Sequence, residues 1–319
     1  MRGLTKNIEA PPGTTGQVEN CQVTVYLAYT TPRAHALIDH RLYLPASWTG
    51  DEHRRTSAGA PESVEFATKP ELARQMLATA VQQVPDGRVA GDEVYGRSPG
   101  LREYLEQHGV GYVMEMAATD RIATPRGPIK VKELAALVPR ASWQRRSAGA
   151  GSKGERLYDW ALVDQGAGGA GLWRVLIRAN RTTGELAFFR CYAPGPVPLA
   201  RLVAVAGRRW RVEESFQQGK GLAGLDEHQV RLWVCWHRWS LLAMVAYAFV
   251  AVCRLRELGR QPHPVELVAL TCNEIARLLH ELFRVEHGME HVLGWSVFRR
   301  AHQARARHCH YRRQASLES

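Results

Sequence analysis

At 319 residues the chain is long enough for one large domain or two smaller ones, and its 45% hydrophobic share is that of an ordinary globular protein. A net charge of +11 and a pI of about 9.7 point to a polyanionic partner, nucleic acid first. The six cysteines stand singly with no CxxC pair, which argues against a zinc ribbon or a disulfide framework and for a reducing cytoplasm.

The opening MRGLTKNIEAPPG has no apolar core, so no signal peptide is visible, and residues 1–16, with Pro11, Pro12 and Gly13, read as coil. Residues 21–29 (CQVTVYLAY) and 36–44 (ALIDHRLYL) alternate as strands, and the short link between them suits a hairpin. Residues 51–61 read as a polar loop. Apolar spacing then predicts helix over 62–84 in two pieces broken at Pro70. A short strand at 88–90 runs straight into Gly91-Asp92-Glu93. A helix over 99–108 follows, with Pro99 at its start and Gly109 as its C-cap, then a strand over 111–117. The alternation of strand and helix is that of an α/β fold.

Residues 119–171 break the alternation. Seven glycines fall between Gly149 and Gly171, beside Arg140, Arg145, Arg146, Lys153 and Arg156, and the stretch reads as an insertion, part β and part loop. Strands at 172–178 and 186–192 flank a turn at Thr183-Gly184. Residues 239–258 form a helix apolar nearly all round, hence buried, and the apolar run 241–253 is too short to span a bilayer. Pro262 and Pro264 mark a break before an amphipathic helix over 265–285, whose second half Thr271 or Asn273 can cap. From His291 to Leu317 there are six arginines, four histidines and no acid.

The richest stretch is 207–239. Arg209, Glu213, Phe216 and Lys220 recur at i, i+4, i+7 and i+11, one face of a helix, so a carboxylate stands between two cations. Glu214 lies about 100° round the helix. Such pairs are common on surface helices, and the spacing alone does not exceed that reading. A second carboxylate, Asp92, follows a strand end, where α/β folds place their functional crevice; the plainer reading is a loop aspartate capping a turn. Asp39 is a third carboxylate, better read as paired with Arg33, Arg41 or a neighbouring strand.

These residues carry a family resemblance. VAGDEVYG at 89–96 and RRWRVEESFQQGKGLAGLDEHQVRLW at 208–233 resemble insertion-sequence transposases of the DDE class. In the subgroup called YREK, a Tyr, Arg, Glu and Lys recur at fixed spacing around the catalytic Glu. Arg209, Glu213 and Lys220 match, while the Tyr position falls on Ala206. GTTGQVENCQV, HALIDHRLYLPASW, FATKPELA, GSKGERLYDWA and GWSVFRRAHQARARHCHYRR extend the likeness over almost the whole chain.

The resemblance implies an α/β, RNase H-like (retroviral-integrase-like) domain with a β-rich insertion and a helical C-terminal part. Residues 17–118 are its first part, 119–197 the insertion and returning strands, 198–260 the catalytic-Glu helix and the buried helix after it, and 261–319 a helical, basic tail. It implies phosphoryl transfer on DNA, in which three carboxylates hold two Mg²⁺ ions (or Mn²⁺) that activate the attacking and leaving oxygens. Asp92 and Glu213 take the second and third carboxylate positions, as catalytic residues and metal ligands. Arg209 and Lys220 are expected on the DNA backbone near the cut, and Arg299, Arg300, Arg305 and Arg307 of the tail on DNA as well. Partners are the element ends and target DNA, with a homodimer on paired ends and no membrane, in the bacterial cytoplasm at the nucleoid.

The family's first carboxylate lies on a strand preceding the segment matched by GTTGQVENCQ. Residues 1–16 hold no Asp and only one acid, Glu9, so that carboxylate and its strand are expected to be absent. Three hypotheses follow: a truncated transposase that no longer cuts, an active enzyme recruiting Asp39 or Glu9, and a DNA-binding competitor without chemistry. His302, His308, Cys309 and His310 fit no standard zinc spacing. Trp210, Trp233, Trp236 and Trp239 read as core. Trp143 and Trp160 are the better candidates for stacking on a displaced base, beside the plainer reading of a packed core.

Overall fold

The computed structural model describes residues 6–9, 18–84, 86–124, 127–151, 154–168, 171–259, 269–284 and 288–318. β1 (Lys6–Glu9) pairs antiparallel with β2 (Val18–Cys21), Lys6 opposite Cys21 and Glu9 opposite Val18. The expected coil over 1–16 therefore contains a strand, and Glu9 belongs to it. A four-residue strand is too short to show periodicity, so only its pairing reveals it. The side chains of this hairpin, Glu9 included, lie outside the described residues.

β3 (Val23–Thr30) and β4 (His35–Tyr43) form the expected hairpin. The loop expected at 51–61 is mostly helical. After α1 (Ala46–Thr49), α2 (Glu52–Ala58) starts where the Asp51 side chain accepts from the Arg54 amide at 3.0 Å, and Gly59 ends it at φ +64°. α3 (Lys69–Gln83) is a single helix, not two pieces. Thr68 and Glu71 cap it reciprocally, and Pro70 sits in the first turn, where no amide is needed.

β5 (Val89–Gly91), α4 (Glu93–Gly96), α5 (Pro99–Gln107) and β6 (Tyr112–Met116) follow the predicted order. β7 (Arg121–Ile122) and β8 (Ile129–Lys130) make a small ladder before α6 (Val131–Leu137). β9 (Gln144–Gly151), β10 (Gly154–Gly168), β11 (Gly171–Ala179) and β12 (Leu186–Ala193) complete a six-stranded sheet of order β5-β6-β12-β11-β10-β9. Among the described residues of this sheet β5 and β6 pair in parallel and the other neighbours antiparallel. The strands of the expected insertion are thus hydrogen-bonded, through β12, to the sheet that carries Asp92. Lys153 and the Pro262–Pro264 break lie outside the described residues.

α7 (Leu199–Arg208) lies against β9, β5 and β6, and α8 (Arg211–Ala223) packs on the β3–β4 hairpin. Leu202 and Val203 of α7 enter the main core with Trp160, Leu176 and Phe189. α9 (Trp233–Glu257) begins six residues before the predicted start, and it is not buried all round. Trp236, Met244 and Tyr247 are buried, whereas Leu241, Leu242, Val245 and Phe249 are exposed. Its apolar stretch, expected to be too short for a bilayer, belongs to a 25-residue helix long and apolar enough to cross one by length and composition alone. The core helix of a soluble protein meets the same criterion.

The chain divides into two compact bodies, Met1–Cys272 and Asn273–Ser319. α10 (Cys272–Leu282) starts at the boundary, and the second body holds the rest of it and α11 (Met289–Glu318), so the basic tail is one long helix.

Candidate active-site cleft

A cavity of about 620 Å³ opens between β3, β5, α3 and the α7–α8 segment, and Asp92, Arg209 and Glu213 all line it. Asp92 stands at the carboxyl end of β5. Its Oδ1 accepts from the Val94 amide at 2.8 Å, so it caps α4, and the expected tight turn at Tyr95-Gly96 is a helical turn. Gly96 is needed there, because a Cβ would sit 2.2 Å from the Glu115 carbonyl oxygen on β6. Glu93 is tied to Arg97 at 2.8 Å, so Asp92 is the carboxylate of the pair that faces the cleft. Burial, with the Asp92 charge adding to it, pushes the Tyr95 hydroxyl up to about 12.

Arg209 and Glu213 do not share one unbroken helix. α7 ends at Arg208 and α8 starts at Arg211, yet the joint stays right-handed helical (Arg209 φ −52°, ψ −40°; Trp210 φ −60°, ψ −20°). The expected i, i+4 contact therefore survives, with Arg209 Nη1 3.3 Å from Glu213 Oε1. Arg209 Nε also reaches Glu115 Oε1 at 3.0 Å. One guanidinium thus bridges a strand carboxylate and a helix carboxylate. Sequence reasoning missed Glu115, although a single acid within the apolar run YVMEM is a visible signal. Phe216 lines the cleft and meets Tyr26 edge-on at 5.3 Å. Lys220 does not join this group: it pairs with Asp226 at 3.4 Å in the open.

Glu214 turns away from the cleft, held by Arg211 and by His35 Nε2 at 3.5 Å. His35 Nδ1 lies 2.7 Å from Ser215 Oγ and 2.9 Å from the Tyr247 hydroxyl, and Ser215 Oγ donates to the Arg211 carbonyl at 2.8 Å. Ser215 is fully buried, so this is a structural knot tying β4, α8 and α9 rather than a nucleophile with access to substrate. Burial and the Arg211 charge lower the His35 pKa, with Glu214 opposing.

Arg201 and Arg208 also face the cleft, and neither makes an ion pair among the described residues. Burial, then Arg201 and Arg211, lower the Arg208 pKa.

Among the described residues no group of three or more His, Cys, Asp or Glu is placed to hold a metal ion. Asp39 is committed to Arg41 Nη1 at 2.6 Å and to the His40 amide at 2.7 Å, in line with its expected pairing. Asp92 and Glu213 offer hard carboxylate oxygens on one cavity, the ligand type of a Mg²⁺ ion, which fills the rest of its shell with water and substrate phosphate oxygens.

Trp160 is fully buried, its indole donating to the Arg146 carbonyl at 3.2 Å, and Trp143 is half-buried against a second core cluster. Both belong to packing rather than to base stacking. Trp236 is core as expected, but Trp210 and Trp239 are exposed. On α11, Arg299, Arg300, Arg305 and Arg307 are all exposed.

Residues 10–136 match a family model described as DDE superfamily endonuclease; the match includes Asp92 and ends before Glu213. No curated protein matches the chain. The mixed six-stranded sheet flanked by helices fits an RNase H-like nuclease fold. Over residues 10–136 the chain is therefore similar to the DDE superfamily endonucleases, which supports a relationship to the DDE-type transposases.

Proposed function

We propose that the chain is a transposase of insertion-sequence, YREK-type descent, which in the form described binds DNA without cutting it, since no group of three or more His, Cys, Asp or Glu among the described residues is placed to hold a metal ion. The observation that carries this reading is the convergence of Asp92 and Glu213, far apart in sequence, on one cleft with Arg209 between Glu213 and Glu115. Asp92 and Glu213 would hold the metal ion, and Mg²⁺ or Mn²⁺ is the ion. Arg209 positions Glu213 rather than meeting DNA directly, because two carboxylates already occupy it. The exposed arginines of α11 are the DNA-binding face, and Lys220 is an accessory contact.

The test is incubation of the chain with supercoiled plasmid and with end-labelled duplex in Mg²⁺ and in Mn²⁺. No nicking is expected, together with binding that weakens steeply with salt. Replacing Arg299, Arg300, Arg305 and Arg307 by Ala is expected to lower the slope of log K against log salt by up to about 0.9 for each phosphate no longer neutralised. Metal-dependent nicking abolished by Asp92→Ala and by Glu213→Ala would show an active enzyme instead. The alternative, a competitor occupying element ends, is favoured by the acid-free basic tail and is read by displacement of an intact transposase from such ends.

A further inference from the structure

One histidine falls on a strand, His40, and another on a helix, His237, and nothing in the sequence joins them. The fold brings them together. β4 packs against α9, and the two rings stand 5.3 Å apart, centroid to centroid, with their planes at 44°. Trp236 packs beside both, 5.1 Å from His40 and 4.8 Å from His237. His40 and Trp236 are buried.

The two imidazoles lack a partner at the same atom. His40 Nε2 and His237 Nε2 are sealed from solvent, and neither makes a hydrogen bond among the described residues. Ser240 Oγ is a third such atom. Ser240 is fully buried one turn after His237, on the same side of α9. Tyr26 ties Ser240 to the pair, because it stands in register with His40 across the hairpin. Burial raises the Tyr26 pKa and the nearby Ser240 hydroxyl opposes it, although the two lack the geometry of a full hydrogen bond.

Folded interiors leave few polar atoms bare, and a group of them in one place points to an ion or water between them. The ring spacing favours an ion. A ring that ligates zinc through one nitrogen has its centroid about 3.2 Å from the metal, so two such rings at the tetrahedral angle stand about 5.2 Å apart. The chemistry of the donors agrees. Imidazole nitrogens suit Zn²⁺ and its transition-metal neighbours, whereas Mg²⁺ takes hard oxygens. Arg41 and Asp39, the charged groups acting on His40, pair with each other at 2.6 Å and so bring little net charge to the place.

We propose that His40 and His237 hold a zinc-type ion, with Ser240 and water completing its shell, which staples the β3–β4 hairpin to α9. None of the three residues lines the cleft of Asp92 and Glu213. The proposal does not depend on the nuclease reading, since its test uses no DNA and no cleavage.

The full chain, stripped with EDTA, is titrated with ZnCl₂ and separately with CoCl₂. At Zn²⁺ about a hundredfold above its Kd, the melting temperature should rise by about 4 °C. Co²⁺ should give the intense visible absorption of a tetrahedral ion, and excess MgCl₂ should change neither readout. His40→Gln and His237→Gln should each abolish the Zn²⁺ shift and the Co²⁺ band. The double variant His302→Gln, His308→Gln, exposed on α11, should keep both. X-ray absorption of the zinc-loaded native chain should show two imidazole ligands, which keeps the proposal testable if a buried variant fails to fold. Absence of both the shift and the band would overturn it and leave water between the rings. So would an octahedral Co²⁺ spectrum, a band that survives in His40→Gln and His237→Gln, a band lost with the α11 histidines, or a zinc shell of carboxylates alone.

Discussion

Replacing Gly207 by Ala tests how α7 is seated. A Cβ at Gly207 would lie 2.0 Å from the Ala148 carbonyl oxygen, 2.7 Å from its carbon and 3.0 Å from its Cα, all backbone atoms of β9. No side-chain rotation relieves such a contact, so helix and strand must separate by about 1 Å in a close-packed interior. Arg156 holds them together, its Nη2 donating to the Ala148 carbonyl at 2.9 Å and to the Gly207 carbonyl at 3.0 Å. Overpacking costs about 1–3 kcal/mol, and the strained Arg156 hydrogen bonds add about 1 kcal/mol. Against this stands the gain of about 1 kcal/mol from replacing a helical Gly by Ala. The net expectation is a loss of about 2 kcal/mol. Urea unfolding should show a lower midpoint at unchanged slope. Gly221→Ala in α8, with no heavy atom within 4 Å of the added Cβ, is the control and should gain up to about 1 kcal/mol. A Gly207→Ala protein as stable as the native chain would refute the seating of α7 on β9.

His40 is buried, and burial, then the neighbouring His237, hold its pKa at about 4, with Asp39 opposing and Arg41 adding to the depression. The unfolded chain, with His40 near 6.5, binds the extra proton first, so stability should fall as pH drops from about 6.5 to about 4, by roughly 3 kcal/mol at most. His40→Phe should flatten that slope in urea midpoints taken across the range, and an unchanged slope would assign the acid loss to other groups. Arg209→Ala should cost about 1 kcal/mol, because Glu213 is partly exposed and only the Glu115 contact is well sheltered. A double-mutant cycle with Glu115→Gln checks it, and zero coupling would sink the bridge. Asp92→Ala should cost about 1 kcal/mol through loss of the α4 cap, whereas Asp92→Asn keeps an oxygen acceptor and should cost little. Equal losses in the two variants would show that charge, not capping, stabilises this corner.

Local rules make part of this architecture legible. The Arg209–Glu213 contact, the β3–β4 hairpin and the helix closed by Gly109 all rest on spacings of a few residues, and each is present. Errors arise where a partner distant in sequence decides the structure. Lys6–Glu9 is a strand because Val18–Cys21 pairs with it, and no pattern within four residues announces that. The α2 helix is hidden by its polar composition, although Asp51 and Gly59 are the cap signals that bound it. Pro70 reads as a break, but the Thr68–Glu71 pair makes it a start. The composition of α9 reads as wholly buried, yet composition does not tell which faces meet a neighbour. Within the cleft, Asp92 and Glu213 can be named beforehand, whereas the second partner of Arg209 cannot, because Glu115 reaches it only through the sheet.

The knot at His35 bears on how this protein reaches its folded state. His35 meets Ser215 across 180 positions of chain and Tyr247 across 212. Contacts of such high sequence separation close only after large loops have lost their freedom, and chains dominated by them fold slowly. During synthesis the hairpin carrying His35 exists long before Ser215 or Tyr247 leaves the ribosome. The helix that presents Glu213 is therefore anchored late, and a chain arrested before Tyr247 would have the His35–Ser215 contact without the Tyr247 hydroxyl that completes the knot.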